Sequence, residues 1–140
     1  MAFVADSGGL YALYDADDAH HAGAVAAVEN EPGVIYIPMA VLAEVDYLLR
    51  AHLGIDAELA FLEDISNGAY LLQSLEEDDV HRCRKIFEQY RDLDLGLADA
   101  AVVATAERLS IQRIPTVDQR HFRAVIPESG IPFILLPADA

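Results

Sequence analysis

Short apolar runs alternate with longer stretches of helical period along this chain. "AFVA" is an apolar run that stops at Asp6, and "SGGLYALYD" then begins a helix. "HHAGAVAAVENEPG" reads as a second helix, closed by Asn30, Pro32 and Gly33. "VIYI" predicts a second strand, and Pro38 suits the first turn of the helix "PMAVLAEVDYLLRAHLG", which Gly54 ends. Asp56 is a candidate cap for a further helix running to Gly68. "AYLLQSL" predicts a third strand, and a long helix follows over about 77–92. The next helix, within "DLGLADAAVVATAERLS", is small and apolar all round, as in a helix packed on every side. "RIPTVD" predicts a fourth strand, "QRHFRA" a turn of helix and "PFILL" a fifth strand.

Apolar strands that alternate with helices predict a parallel sheet covered on both faces. In open sheets of this class, ligands bind beyond the carboxyl ends of the strands, near a switch in strand order. Strand-end residues are therefore the first place to look for chemistry. Pro115 resists the pattern, because proline donates no ladder hydrogen bond, and it calls for an edge or strand-end position.

Length and composition narrow the class. A chain of 140 residues with 54% hydrophobic residues suits one domain, 1–140, with a real core. No apolar run approaches the length of a membrane span. The start "MAFVADSGG" lacks a basic lead and meets an acid at position 6, unlike a secretory signal. Cys83 is the single cysteine, which rules out an intrachain disulfide and makes a reducing cytoplasm the expected compartment.

The formal charge of −15, from 24 acids against 9 bases, excludes indiscriminate nucleic-acid binding through phosphate neutralisation. It fits a cation site, a basic partner or a soluble surface. Most acids stand in polar company, as in "DADD" and "EDD". Four do not. Asp6 ends the first strand, Asp118 ends "IPTV" on the fourth, Asp99 heads the apolar helix, and Glu44 lies in "MAVLAEVDYLL". Each has a local role open to it: Asp6 as a cap, Asp99 on the helix dipole, Asp118 at a turn. At about 100° per residue, Glu44 and Asp46 flank opposite sides of the stripe Val41, Val45, Leu48 and Leu49, so periodicity does not choose between them.

Gathering carboxylates in a fold is costly unless something pairs with them, and the few bases offer no obvious partner. A divalent cation is the economical solution, and hard oxygen ligands suit Mg²⁺ or Mn²⁺. Such a site activates water and stabilises the departing oxygen of a phosphodiester. The chain has no Gly-rich phosphate loop, no Cys/His zinc spacing and no nucleophile elbow.

At these residues the chain resembles a known family. "FVADSGGLYALYDADDAHH", "IPMAVLAEVDYLL", "YRDLDLGLADAAVVATAERL" and "IPTVDQRHF" are similar, in order and spacing, to segments of PIN-domain proteins, above all VapC-type toxins of bacterial toxin–antitoxin pairs. The resemblance runs from Phe3 to about Phe133. It implies a three-layer α/β/α sandwich around a parallel sheet of about five strands, with Mg²⁺ or Mn²⁺ bound by acids that hydrolyse RNA internally. It implies that Asp6, Glu44, Asp99 and Asp118 are the catalytic and metal-binding residues, which selects Glu44 over Asp46. Thr116 matches the hydroxyl residue that accompanies the last acid; Ser7 and Asp94 are supporting positions, and Asp92 is a candidate outer member. The implied partners are a small cognate antitoxin that covers the site, often with a basic side chain, and a second copy in a homodimer.

Arg108, Arg113, Arg120 and Arg123 form the one basic group near the predicted site and are candidate phosphate contacts; ordinary surface arginines are the plain alternative. An unpaired or structured RNA loop is the expected target, since A-form duplex hides its bases. His20 and His21 are expected in the first turn of a surface helix, and Cys83 on a core stripe with Val80, Phe87 and Tyr90. His121 is expected to pack the site rim. A phospho-acceptor domain is excluded, because it needs paired acids after the first strand and a lysine near the fifth. Here Ser7 follows Asp6, and the one lysine is Lys85 on a helix. A PIN-fold nuclease outside a toxin pair and a catalytically silent PIN-fold binding module remain as alternatives.

Overall fold

Strand β1 (Ala2–Val4) shows why its sequence is apolar without alternation. Phe3 and Val4 point to opposite faces of the sheet, and both are fully buried. The computed structural model describes residues 2–140. The other strands are β2 (Val34–Pro38), β3 (Leu71–Gln73), β4 (Arg113–Pro115) and β5 (Ile134–Leu136). All four pairings are parallel, in the order β3-β2-β1-β4-β5. The helices are α1 (Ser7–Tyr14), α2 (His21–Asn30), α3 (Met39–Leu53), α4 (Ile55–Ser66), α5 (Glu77–Gln89), α6 (Leu97–Leu109) and α7 (Gln119–Ala124). None is long and apolar enough to cross a membrane.

The two faces are unequal. On one, Phe3, Ala27 of α2 and Leu136 form a small cluster with Ile35 and Ile134. The other carries the main core, in which Val4, Ile114 and Leu135 meet Val41, Val45 and Leu49 of α3 and Cys83 and Ile86 of α5. Helix α6 lies within this layer against β1, β2, α3 and α5. Its residues from Ala100 to Ala106 are all buried, so small side chains are what the space admits.

Helix ends follow local chemistry. Gly54, at φ 92°, closes α3 and donates its N–H to the carbonyls of Leu49 and Arg50. Glu76 caps α5, with Asp79 accepting from the Glu76 N–H at 3.0 Å. Helix α4 starts at Ile55 directly after Gly54, so Asp56 sits in its first turn rather than capping it. The α5 stripe is also rotated from expectation: Val80 is half exposed, while Asp79, Cys83 and Ile86 are buried. His20 and His21 start α2 as expected.

Pro115 is the last residue of β4, an interior strand between β1 and β5. A strand-end position, not an edge, accommodates it. Its carbonyl accepts from the Asp6 N–H at 3.2 Å, and the next residue, Thr116, donates its N–H to Leu136 at 3.0 Å. The first turn of α1 presses on this point. A Cβ on Gly9 would stand 2.1 Å from the Pro115 carbonyl oxygen and 2.9 Å from the Thr116 nitrogen. Both are backbone atoms and cannot swing away. Gly9→Ala is therefore expected to cost about 2–3 kcal/mol of folding stability in urea denaturation. Gly8→Ala, which meets the movable Val117 side chain first, is expected to cost less; equal midpoints for the two variants would refute the contact.

Candidate active site

The sheet order reverses between β1 and β4. From β1 the chain builds outward through β2 and β3, then returns to the other side for β4 and β5. The carboxyl ends of β1 and β4 therefore border the crevice where such sheets place ligands. Asp6 follows β1 and Asp118 follows β4, and both flank it.

Asp6 occupies the N-cap position of α1, yet its carboxylate makes no cap hydrogen bond. Its Oδ2 instead accepts from the Thr116 hydroxyl at 2.8 Å, across the β1–β4 gap. The same Thr116 Oγ1 accepts from the Asp118 N–H at 2.9 Å, so one buried hydroxyl ties the two strand ends together. Asp118 caps α7 through Oδ1, which accepts from the His121 N–H at 3.2 Å. The local role open to Asp118 is thus filled through Oδ1, while Oδ2 faces the His121 ring.

Asp99 is the third residue of α6 and reaches back to the Gly96 N–H at 3.1 Å, a helix-start bond that uses Oδ2. Glu44, on α3, accepts a hydrogen bond from the Ser7 hydroxyl of α1. That contact holds Glu44 against the residue that follows Asp6. The charges of Asp99 and Glu44 are both felt at Asp6. Burial, first, and then these two neighbours push the Asp6 pKa up to about 6, against the hydrogen bonds from Thr116 and the Ser7 amide. Burial likewise raises Asp99, opposed by the Gly96 N–H and His121.

Charge pairing separates this group from the other acids. Asp6, Glu58 and Asp79 are all buried carboxylates, at 4%, 8% and 4% exposure. Glu58 pairs with Arg50 at 2.9 Å and Asp79 with Arg108 at 3.0 Å. Among the described residues, no lysine or arginine pairs with Asp6, Glu44, Asp99 or Asp118. Oxygen donors with no internal cation suit a hard divalent ion.

His121 is closer to the acids than its sequence context suggests. Its Nδ1 stands 2.8 Å from Asp118 Oδ2 and 4.0 Å from Asp99 Oδ2. The shorter separation is not a well-aligned hydrogen bond, and Nδ1 is buried without a partner. One donor atom each from Asp99, Asp118 and His121 lie within 4.8 Å of one another. The available signal was the spacing: Asp118 and His121, three apart at a helix start, share one face.

The expected arginine group is not one group. Arg108 is engaged by Asp79 and Gln73, Arg113 by Glu31 at the start of β4, and Arg123 by Asp139 and Gln119. Only Arg120, exposed on the first turn of α7, forms no ion pair among the described residues. Asp94 is exposed in a left-handed conformation (φ 54°) after the 3₁₀ turn Arg91–Leu93, beside Arg91 and Leu95 in a surface depression. Asp92 is exposed in that turn.

Comparison with known proteins agrees with this architecture. The PIN domain family model matches residues 3–126. Ribonuclease VapC26 of Mycobacterium tuberculosis is 34% identical over 134 residues, spanning 96% of this chain and 99% of that protein. The crystal structure of M. tuberculosis VapC20, described as a sarcin–ricin loop cleaving toxin, superposes with a TM-score of 0.77 at 22% identity, covering 86% of this chain and 92% of that one. DNA-bound VapBC from Salmonella typhimurium superposes with a TM-score of 0.72 at 16% identity, covering 96% and 98%. With the family model matching most of its length, on a five-stranded parallel sheet, this chain belongs to the PIN-domain family.

Proposed function

We propose that residues 1–140 form one nuclease domain that hydrolyses RNA phosphodiester bonds internally with Mg²⁺ or Mn²⁺, as the toxin of a toxin–antitoxin pair. The observation that carries this reading is Asp6: a buried carboxylate at the strand-order switch that feels the charges of Glu44 and Asp99, is tied to Asp118 through Thr116, and has no basic partner. Similarity to a protein named as a ribonuclease, over nearly the full length of both chains, supports the choice of substrate. The VapBC relative solved on DNA and a toxin–antitoxin complex from Klebsiella pneumoniae support an antitoxin partner. A homodimer is part of the same reading, as is a cytoplasmic setting.

A divalent cation bound here supplies Lewis-acid activation of water and neutralises charge building on the phosphate oxygens. The chain's own residues hold the geometry. Thr116 fixes the Asp6 carboxylate and the Asp118 backbone with one hydroxyl. The first turn of α6 holds Asp99, and Ser7 holds Glu44 at the exposed rim. Arg120, two residues beyond Asp118, is the one of the four arginines free to meet a phosphate.

Wild-type protein with Mn²⁺ is expected to cleave a susceptible RNA, and Asp6→Asn or Asp99→Asn to lose at least about a hundredfold in rate. Equal cleavage by all three would overturn the assignment and leave a silent PIN-fold module. Toxicity on expression that Asp99→Asn abolishes would separate a toxin from other PIN nucleases.

The Asp6 environment also predicts a pH dependence. Its folded pKa of about 6 lies above the unfolded value of roughly 3.9. The folded state thus holds the proton more tightly. That contribution is complete below the unfolded value and is lost as pH rises through about 6. Metal-free Asp6→Asn should therefore exceed wild type in stability at pH 7.5 by on the order of 2 kcal/mol, the gap closing near pH 4. Added Mn²⁺ should raise the melting temperature of wild type and much less that of the variant.

The arginines divide by role. Arg108→Ala is expected to destabilise the fold by about 2 kcal/mol, by stranding buried Asp79, without a specific loss of RNA affinity. Arg120→Ala should leave the unfolding midpoint unchanged while raising KM for RNA and flattening its salt dependence.

A further inference from the structure

His121 is a nitrogen donor that the acid set leaves out. Three features of its placement point the same way. Asp118 accepts the His121 N–H through Oδ1, which pins the residue on the first turn of α7 and leaves Oδ2 facing the ring. The ring Nδ1 is buried yet has no hydrogen-bond partner, a costly state for an imidazole nitrogen unless something binds it. And Nδ1 faces two carboxylate oxygens from different elements, Asp118 Oδ2 at 2.8 Å and Asp99 Oδ2 at 4.0 Å.

These separations match those of ligands sharing one ion. With metal–ligand bonds of about 2.1 Å, donors at right angles stand about 3 Å apart, and opposed donors about 4.2 Å. The imperfect alignment of the His121–Asp118 contact is compatible with such sharing. A cation bonded to both atoms at that length lies about 45° off the line joining them, so the ring nitrogen need not point at the oxygen. A histidine–aspartate ion pair accounts for the 2.8 Å approach only when the ring is protonated, whereas a neutral ring can present Nδ1 to a shared cation.

We infer that His121 Nδ1 is a direct ligand of the divalent cation in the Asp99–Asp118 corner, giving this chain a mixed nitrogen–oxygen site that prefers Mn²⁺ to Mg²⁺. The preference follows from ligand type: Mn²⁺, a first-row transition ion, accepts an imidazole nitrogen more readily than Mg²⁺, which is best served by oxygen alone. The inference rests on the proposed metal-dependent reading and adds a residue outside the four acids.

The test uses the full chain and Mn²⁺ alone, with no RNA. Pulsed electron paramagnetic resonance of the Mn²⁺-loaded wild type should show ¹⁴N coupling from a bound imidazole. His121→Phe and His121→Asn should lose that coupling while keeping the unfolding midpoint of wild type. By titration calorimetry, their Mn²⁺ affinity should fall about tenfold or more and their Mg²⁺ affinity much less, narrowing the Mn²⁺/Mg²⁺ ratio. Mn²⁺ binding that depends on Asp99 but shows no nitrogen coupling, with affinities unchanged in both His121 variants, would overturn the His121 assignment alone. A wild type that binds no Mn²⁺ would overturn the metal-dependent reading with it.

Discussion

The hydrogen bond from Thr116 to Asp6 spans 110 residues of sequence and closes the gap between the two strands where the sheet order turns. Much of the site depends on it. It holds one oxygen of a carboxylate that burial would otherwise drive toward its neutral form. Through its second role as an acceptor, the same hydroxyl sets the path of the chain into Asp118, and Asp118 in turn starts α7 and places His121. Loss of the hydroxyl would loosen Asp6, Asp118 and His121 relative to one another, although only the Asp6 side chain is its direct partner.

The distribution of bases explains why this centre stays negative. The chain has few cations, and the structure commits most of those near the site elsewhere: Arg108 to Asp79, Arg113 to Glu31 and Arg123 to Asp139. These pairs neutralise acids that would otherwise add to the field at the crevice. The acids at the sheet's crevice are thereby left without a basic partner, which favours a small cation over an extended polyanion.

Much of this is legible in the sequence because strand ends and helix starts are local features. Apolar runs that stop at Asp6 and Asp118, and the carboxylate heading α6, mark themselves without tertiary information. The choice between Glu44 and Asp46 is not local. It depends on which side of α3 meets Ser7, which the pattern does not encode and the family resemblance supplied. The arginines misled for a related reason. Three of the four find their acids at residues 16 to 82 positions away, as with Arg123 and Asp139 or Arg113 and Glu31, and a cluster in sequence says nothing of such partners. Val80 surfaces because Asp79, secured by Arg108 and by the cap of α5, takes the inward position that an apolar stripe would assign to its neighbour.

The placement of β1 at the centre of the sheet, with β2 as its early neighbour and β4 as its late one, has a consequence for synthesis. As the chain leaves the ribosome, β1 and β2 are available to pair within the first 38 residues, but β4 and α7 follow only after a further 75 or more. Until then the crevice has one wall, and Asp6 lacks Thr116, Asp118 and His121. A nascent chain is thus incapable of assembling the acid centre until β4 and α7 have emerged, so a partner that recognises the complete crevice has nothing to meet before them.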